Sequence, residues 1–317
     1  MAGSNEAPAS QVAGQATVPA SSHGWEAQRR REFMYGLWPA LIILVAVTLL
    51  PTIYLIVTSL TPLNPTLPGT EFNFSDPLQN YIALFEDPRV QESIWIQVEL
   101  SFFTVGFQLL IGLAVAVLLN SRSRFLEAVR TIFLIPMVLP PIVVAIIWKV
   151  LYTPDISPFH MFLNSIGHPM GAMITSPDYA LWSIVIADVW EWFPFTMLML
   201  LAALQMLPDE PLEAALIDGA GNWQKFVYVV LPLLRPAILV AGLFRLIDSV
   251  KQFPLIYVLT QGGPGSVTNV TNYYSFMQAF NFSYLGFASA ITVVMVAATF
   301  LLSLLIIRTV GMEVDVE

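Results

Sequence analysis

Six long apolar runs, separated by loops rich in proline, glycine, asparagine and charge, leave this chain one kind of fold. The runs fall at about 35–60, 94–119, 131–151, 180–206, 236–260 and 285–307. Each approaches the roughly 20 residues, about 30 Å of helix, that cross a bilayer. Lipid offers no hydrogen bonds, so a span of this kind must satisfy its backbone internally and folds as a helix. The expected fold is an all-α integral membrane bundle of about six transmembrane helices. At 56% hydrophobic and 11% charged residues, with a mean hydropathy of +0.72, the chain is too apolar for an ordinary soluble protein. Pro51, Pro136, Pro140, Pro141, Pro194 and Pro254 fall inside the spans, where neighbouring groups in a packed bundle can take up the freed carbonyls.

Lys and Arg set the orientation. With the N-terminus in the cytoplasm, the inner segments carry Arg29, Arg30, Arg31, Arg122, Arg124, Arg130, Lys225, Arg235 and Arg308, and the outer loops carry only Arg89. Both termini are then expected inside, and residues 207–235 form a cytoplasmic loop. Residues 1–28 are rich in Ala, Ser, Gln and Gly without apolar periodicity and read as a disordered cytoplasmic tail. The run Leu37–Leu60 is too long for a signal peptide and reads as a retained first span. The expected organisation is a tail at 1–28, a first transmembrane helix and extracytoplasmic loop at 29–93, a five-helix core at 94–308, and a cytoplasmic tail at 309–317.

Several functions are excluded or disfavoured. A net charge of −9 gives no reason to expect nucleic acid. The absence of cysteine removes disulfides, thiol catalysis and Cys-ligated zinc. His23 lies in the tail, while His160 and His168 share a loop and read as a solvated pair, so no metal site is expected. Lys149, Lys225 and Lys251 follow Trp, Gln and Val, so the chain has no G-K-[ST] phosphate loop.

The loop 207–232 reads LPDEPLEAALIDGAGNWQKFVYVVLP. Asp209 can cap a short helix with Pro211 in its first turn. Glu213, Ile217 and Ala220 share a face, and Gly219 can end the helix. Ala214 and Ala215 are small enough for another protein to approach the backbone, and Glu213 and Asp218 offer carboxylates to a basic partner. Leu231-Pro232 would start the return to the membrane. An interfacial helix merely joining two spans is the plainer reading of each feature taken singly.

The full spacing, E-A-A-x3-G-x9-V-x-L-P, resembles the EAA loop of ABC importer permeases, with Val229 where that family usually carries isoleucine. YVLTQGGPG at 257–265 and FSYLGFASAITVVM at 282–295 resemble the first permease of carbohydrate systems of the maltose, trehalose and glycerol-phosphate kind. The likeness covers about residues 94–308. It implies a type I importer permease in a bacterial or archaeal cytoplasmic membrane, moving a sugar or polyol by alternating access. Glu213, Ala214, Ala215, Asp218 and Gly219 would couple it to a separate ATPase. It further implies a second homologous permease, two ATP-binding subunits that hold ATP and Mg, an extracytoplasmic solute-binding protein and a small hydrophilic solute. This chain itself would carry no cofactor and no catalytic residue.

Charged residues also lie within the spans. Each costs on the order of 2.5–3.5 kcal/mol at mid-bilayer, even on the lenient insertion scale. Span five holds Arg245, Asp248 and Lys251, and span four holds Asp188 and Glu191. Counting rise per residue places Glu191–Arg245 and Asp188–Lys251 as plausible interhelical pairs. These groups either fix helix register or line a polar cavity, with Trp190, Trp192, Phe193 and Tyr257 at similar depth to stack on a sugar ring. An ion-coupled secondary transporter using Glu191, Asp248 and Arg245 as a relay is the alternative. An intramembrane transferase would need a better acidic cluster than Asp188 and Glu191.

Overall fold

A computed structural model of the chain describes residues 22–120, 123–154, 156–167 and 171–310. Arg122, His168, residues 1–21 of the expected tail and residues 311–317 lie outside that set. The chain divides into two units, 1–54 and 55–317.

The first helix, α1 (Ser22–Ser59), which makes up the described part of the first unit and runs on into the second, begins ahead of the expected boundary at residue 29. Glu26, Ala27, Gln28 and the three following arginines are good helix formers, so the helix extends back into the tail. From Tyr35 to Tyr54 its side chains are predominantly apolar around the whole helix and exposed, which suits lipid rather than a one-sided core. Thr48 and Thr52 return their hydroxyls to the carbonyls of Leu44 and Thr48, at 2.7 and 2.8 Å, so no polar group faces outward unmet.

The second unit is a helical bundle. Its elements are α2 (Gln79–Glu86), α3 (Pro88–Leu119), α4 (Arg124–Phe133), α5 (Ile135–Val138), α6 (Pro141–Tyr152), α7 (Pro158–Ser165), α8 (Ala180–Gln205), α9 (Asp209–Ile217), α10 (Asn222–Lys225), α11 (Leu231–Val250), α12 (Pro254–Leu259), α13 (Thr271–Phe276) and α14 (Leu285–Val310). The pair α3 and α8 forms the spine, and α11 packs against both. One core joins Leu100, Val144, Ile184, Leu255 and Ile256. A second joins Ala116, Met197, Leu200 and Leu234, and a third seats α14 through Ala290 and Ile291 on Leu84 and Val90.

Among the described residues five helices are long and apolar enough to cross a membrane. The expected third span, 131–151, is broken into α4, α5 and α6. Pro140 and Pro141 lack donors and force the preceding backbone out of helix: Leu139 and Pro140 are extended, with ψ of 142° and 134°. The twelve residues of α6 span only about 18 Å at 1.5 Å per residue. His160 also departs from expectation: it is buried in α7, not solvated.

The fifth span is displaced. The helix runs from Asn222 to Val250 instead of 236–260 and continues through a π-helical turn at Phe226–Val230. The wide turn, in which Leu231 N–H reaches Phe226 C=O, admits Pro232 without a break, so Leu231-Pro232 lies inside the helix and does not start it. The helix ends instead before Pro254.

Two glycines set helix separations. A Cβ on Gly112 would lie 2.2 Å from Thr196 Oγ1 and 2.9 Å from Met197 N, so α3 and α8 touch backbone to backbone. A Cβ on Gly286 would lie 2.0 Å from Thr61 O, at the point where Gly286 N–H bonds Leu63 C=O at 3.0 Å. Gly112→Val and Gly286→Ala should each destabilise the bundle by about 1–3 kcal/mol, as overpacking generally does. A thermal unfolding series in detergent reads this directly, and two unchanged midpoints would mean these contacts separate at no cost.

Candidate coupling loop and intramembrane polar network

The EAA residues form α9, a two-turn helix with no buried residue. Pro208, not Asp209, occupies its N-cap position; Asp209 and Glu210 sit in the first turn, where the positive helix end favours carboxylates. Gly219 follows in the left-handed conformation, φ 76°. Its N–H bonds Leu216 C=O at 3.1 Å, and Ala220 N–H bonds Ala215 C=O at 2.9 Å. That doubly bonded closure satisfies the terminal carbonyls and needs a residue tolerant of positive φ. The helix thus folds locally and leaves its side chains outward. Glu213, Ala214 and Asp218 are exposed and Ala215 is half-buried. Leu216 and Ile217 are apolar yet 56% and 87% exposed, and Trp223 and Tyr228 are exposed beyond them.

The second feature lies inside the bundle. Arg245, on α11, is 1% exposed and is surrounded by partners from three helices. Its Nε donates to Gln108 Oε1 of α3 at 2.8 Å, and its NH1 donates to Asp248 Oδ2 at 3.2 Å. Its NH2 lies 4.0 Å from Asp188 Oδ2 of α8. Gln108 Nε2 in turn donates to Asp188 Oδ2 at 2.7 Å, and Gln252 Nε2 donates to Asp188 Oδ1. The guanidinium also sits over the Trp192 ring, 4.5 Å from its centroid, an attraction that strengthens when desolvated. Beside this network, Ser249 Oγ donates to Ser101 Oγ at 2.7 Å, and Gln97 Nε2 donates to Ser249 C=O at 3.2 Å.

Of the residues singled out from sequence, Asp188, Arg245 and Asp248 are brought together, and Glu191 is buried alongside them. The pairing differs from expectation. Arg245 takes Asp188 and Asp248, while both Glu191 carboxylate oxygens are buried with no hydrogen-bond partner among the described residues. Lys251 is exposed at the C-cap of α11 and makes no ion pair among the described residues. Depth along a helix can be counted from sequence, but rotation about its axis cannot, so Arg245 meets Asp188 in place of Glu191 and neither expected pair forms. Trp190 packs against the core, edge-on to Trp148, whereas Tyr257 is 44% exposed and stacks on Phe253. Gln108 and Gln252 were missed; for Gln108 the available signal was an amide inside an otherwise apolar run, while Gln252 follows the charged Asp248 and Lys251 and is hidden among them.

Residues 108–311 match the family model described as binding-protein-dependent transport system inner membrane component. The trehalose/maltose transport system permease protein MalF of Thermococcus litoralis is 38% identical over 216 residues, 68% of this chain and 73% of that one. The sulfoquinovosyl glycerol transport system permease protein SmoG of Agrobacterium fabrum is 33% identical over 274 residues, 86% of this chain and 88% of the other. A crystal structure of a bacterial ABC transporter that imports the acidic polysaccharide alginate shares the fold, with a TM-score of 0.75 over 90% of this chain and 97% of that one at 20% identity. With more than half of its length inside the family model, this chain belongs to the binding-protein-dependent transport system inner membrane components, the permease subunits of ABC importers.

Proposed function

We propose that this permease subunit carries a sugar or related polyol into the cytoplasm, lying in the cytoplasmic membrane with both termini inside. It works with a second homologous permease, two ATP-binding subunits and an extracytoplasmic solute-binding protein. The observation that carries the reading is α9: a self-closed helix that buries nothing and exposes Leu216 and Ile217 between Glu213 and Asp218. Apolar side chains held outward on a locally rigid element, rimmed by carboxylates, suit a docking knob for a partner protein. Ala214 and Ala215 let that partner approach the backbone. Sugar as the solute is supported by the trehalose/maltose and sulfoquinovosyl glycerol permeases among the relatives.

The mechanism follows from population shift. Closure of the ATP-bound subunits moves α9 and, through it, the helix Asn222–Val250, and the bundle exchanges inward- for outward-facing states. Asp188, Trp190, Glu191, Arg245, Asp248, Lys251 and Tyr257 are assigned to the solute path. Within it Arg245 holds the helices in register through Asp188 and Gln108, while Glu191, which has no hydrogen-bond partner among the described residues, is left to meet solute hydroxyls. Trp192 supports Arg245 rather than solute, because its ring is already occupied by the guanidinium.

Co-purification in mild detergent tests the docking assignment. The wild-type chain should bring down an ATPase and a second permease. Glu213→Ala/Gly219→Asp, and separately Ile217→Asp, should lose the ATPase by about tenfold or more, as expected when an interface anchor worth 1.4 kcal/mol or above is removed, and retain the permease. Undiminished ATPase recovery by all these variants would remove α9 from the coupling path.

Uptake and thermal unfolding together test the path. Arg245→Gln should destabilise the bundle by about 3–5 kcal/mol, since it strands the Asp188 carboxylate without its cation. Glu191→Gln breaks no hydrogen bond and should leave the unfolding midpoint in place while lowering uptake. A Glu191→Gln transporter working at the wild-type rate would show that this side chain does not meet solute.

A further inference from the structure

A cleft of about 450 Å³ opens among the start of α3, the glycine-rich turn after α12 and helix α13. It is separate from the Arg245 network. By the distribution of Lys and Arg it lies on the extracytoplasmic side, and Arg89, the one cation in the expected outer loops, lines it. Glu92, Gln261, Ser266 and Asn269 supply the other polar groups.

The walls are fixed before any ligand arrives. Ser266 Oγ donates to Glu92 Oε1 at 2.6 Å, which ties the turn to α3. Thr268, fully buried, donates its one hydroxyl hydrogen to Gly263 C=O at 2.8 Å, and its Oγ1 lies 2.8 Å from the Thr260 hydroxyl, which can donate to it. Tyr274 donates to Asp87 Oδ2 at 2.8 Å; burial, together with that carboxylate, pushes its phenol up to about 12, so it stays a donor. Gly262 carries φ 81° and lies so close to the Tyr273 ring that a Cβ would come within 2.9 Å of it. Gln261, which is not glycine, is nonetheless held at φ 52° on the cleft wall. Strain of this kind persists only where surrounding structure imposes it, and it gathers at ligand sites. Asn269 Oδ1 is buried and finds no donor among the described residues.

The lining states what would fill it. Arg89 and Glu92 cancel in charge, so the site favours a neutral ligand. Guanidinium and amide donors face fixed carboxylate and amide acceptors, the mixture that adjacent hydroxyls satisfy. Tyr273, Met277 and Phe282 add apolar surface for the C–H face of a ring. The volume falls within the roughly 300–1,000 Å³ of small-molecule sites. We propose that this cleft is a second carbohydrate site, an outer vestibule that takes one or two neutral sugar rings before they enter the bundle. The proposal rests on the reading of this chain as a sugar permease.

The chain has no cysteine, so Ser266→Cys gives it a single thiol at the cleft. In vesicles holding the assembled transporter without its solute-binding protein, the rate of labelling by a membrane-impermeant maleimide is measured with trehalose, maltose or galacturonate. Trehalose or maltose should slow labelling. Asn269→Leu should raise the sugar concentration needed about tenfold, the worth of one buried acceptor. Arg89→Gln, an exposed change, should do the same and serves if Asn269→Leu fails to assemble. Labelling untouched by either neutral sugar, in vesicles that import that sugar once the binding protein is added, would overturn the proposal. So would protection by galacturonate alone, or by the binding protein whether or not sugar is present. Vesicles that import neither neutral sugar and show no protection would sink the sugar reading itself, and the vestibule with it.

Discussion

A single arginine in the middle of the bundle sets the terms for the helices around it. Arg245 cannot be left in a low-dielectric interior alone, because the penalty for an unpaired buried ion is several kcal/mol. It therefore demands Gln108 from α3, Asp188 from α8 and Asp248 from its own helix. Asp188 in turn needs more than one cation at 4.0 Å, and receives amide hydrogens from Gln108 and Gln252. The three helices are thus held in one register by a network whose members satisfy each other. Around it the packing is close. Gly112 lets α3 and α8 approach to backbone contact, and Thr196 bridges them by donating to Gln108 C=O at 2.7 Å. The same glutamine therefore joins the polar network through its side chain and the helix seam through its backbone.

The two functional regions follow opposite physical rules. The network is ordered by burial and can change only if its partners change together. The candidate coupling helix α9 has no fully buried residue and is closed by its own local hydrogen bonds. A locally closed helix can be gripped by another protein without disturbing the membrane interior. The helix Asn222–Val250 joins the two regions, about 43 Å of continuous rod at 1.5 Å per residue. One of its ends lies beside the loop and the other carries Arg245.

Much of this was legible in the sequence, and the failures have definite causes. Span positions follow from hydropathy because lipid imposes one solution on the backbone. The short helix at 209–217 and its glycine stop are local and were readable from residue types. Pro140-Pro141 broke the third span although prolines inside a bundle can be tolerated. Two adjacent rings leave consecutive residues without donors and push Leu139 into extended backbone, which neighbours cannot undo. Pro232 had the opposite outcome, because the π turn before it widened the helix enough to accept it. Charge pairing failed for a third reason. Asp188 and Glu191 lie on nearly the same face, and which one meets Arg245 depends on helix rotation, a tertiary quantity. Gln108 and Gln252 carry no charge and leave little trace in a pattern of apolar residues.

Where α11 ends at Val250, the carbonyls of Ser249 and Lys251 are each met by a side chain from another helix. Gln97 of α3 donates to Ser249 C=O, while Asn272 of α13 donates to Lys251 C=O at 3.0 Å. Lipid cannot replace those donors, so α3 and α13 cannot slide away from this point without leaving bare peptide groups in hydrocarbon. Mechanically, the broken helix end behaves as a rivet. Three helices, α3, α11 and α13, are tied at that one point, so sliding any of them past the others there breaks at least one of these bonds, and relative movement is cheaper away from it.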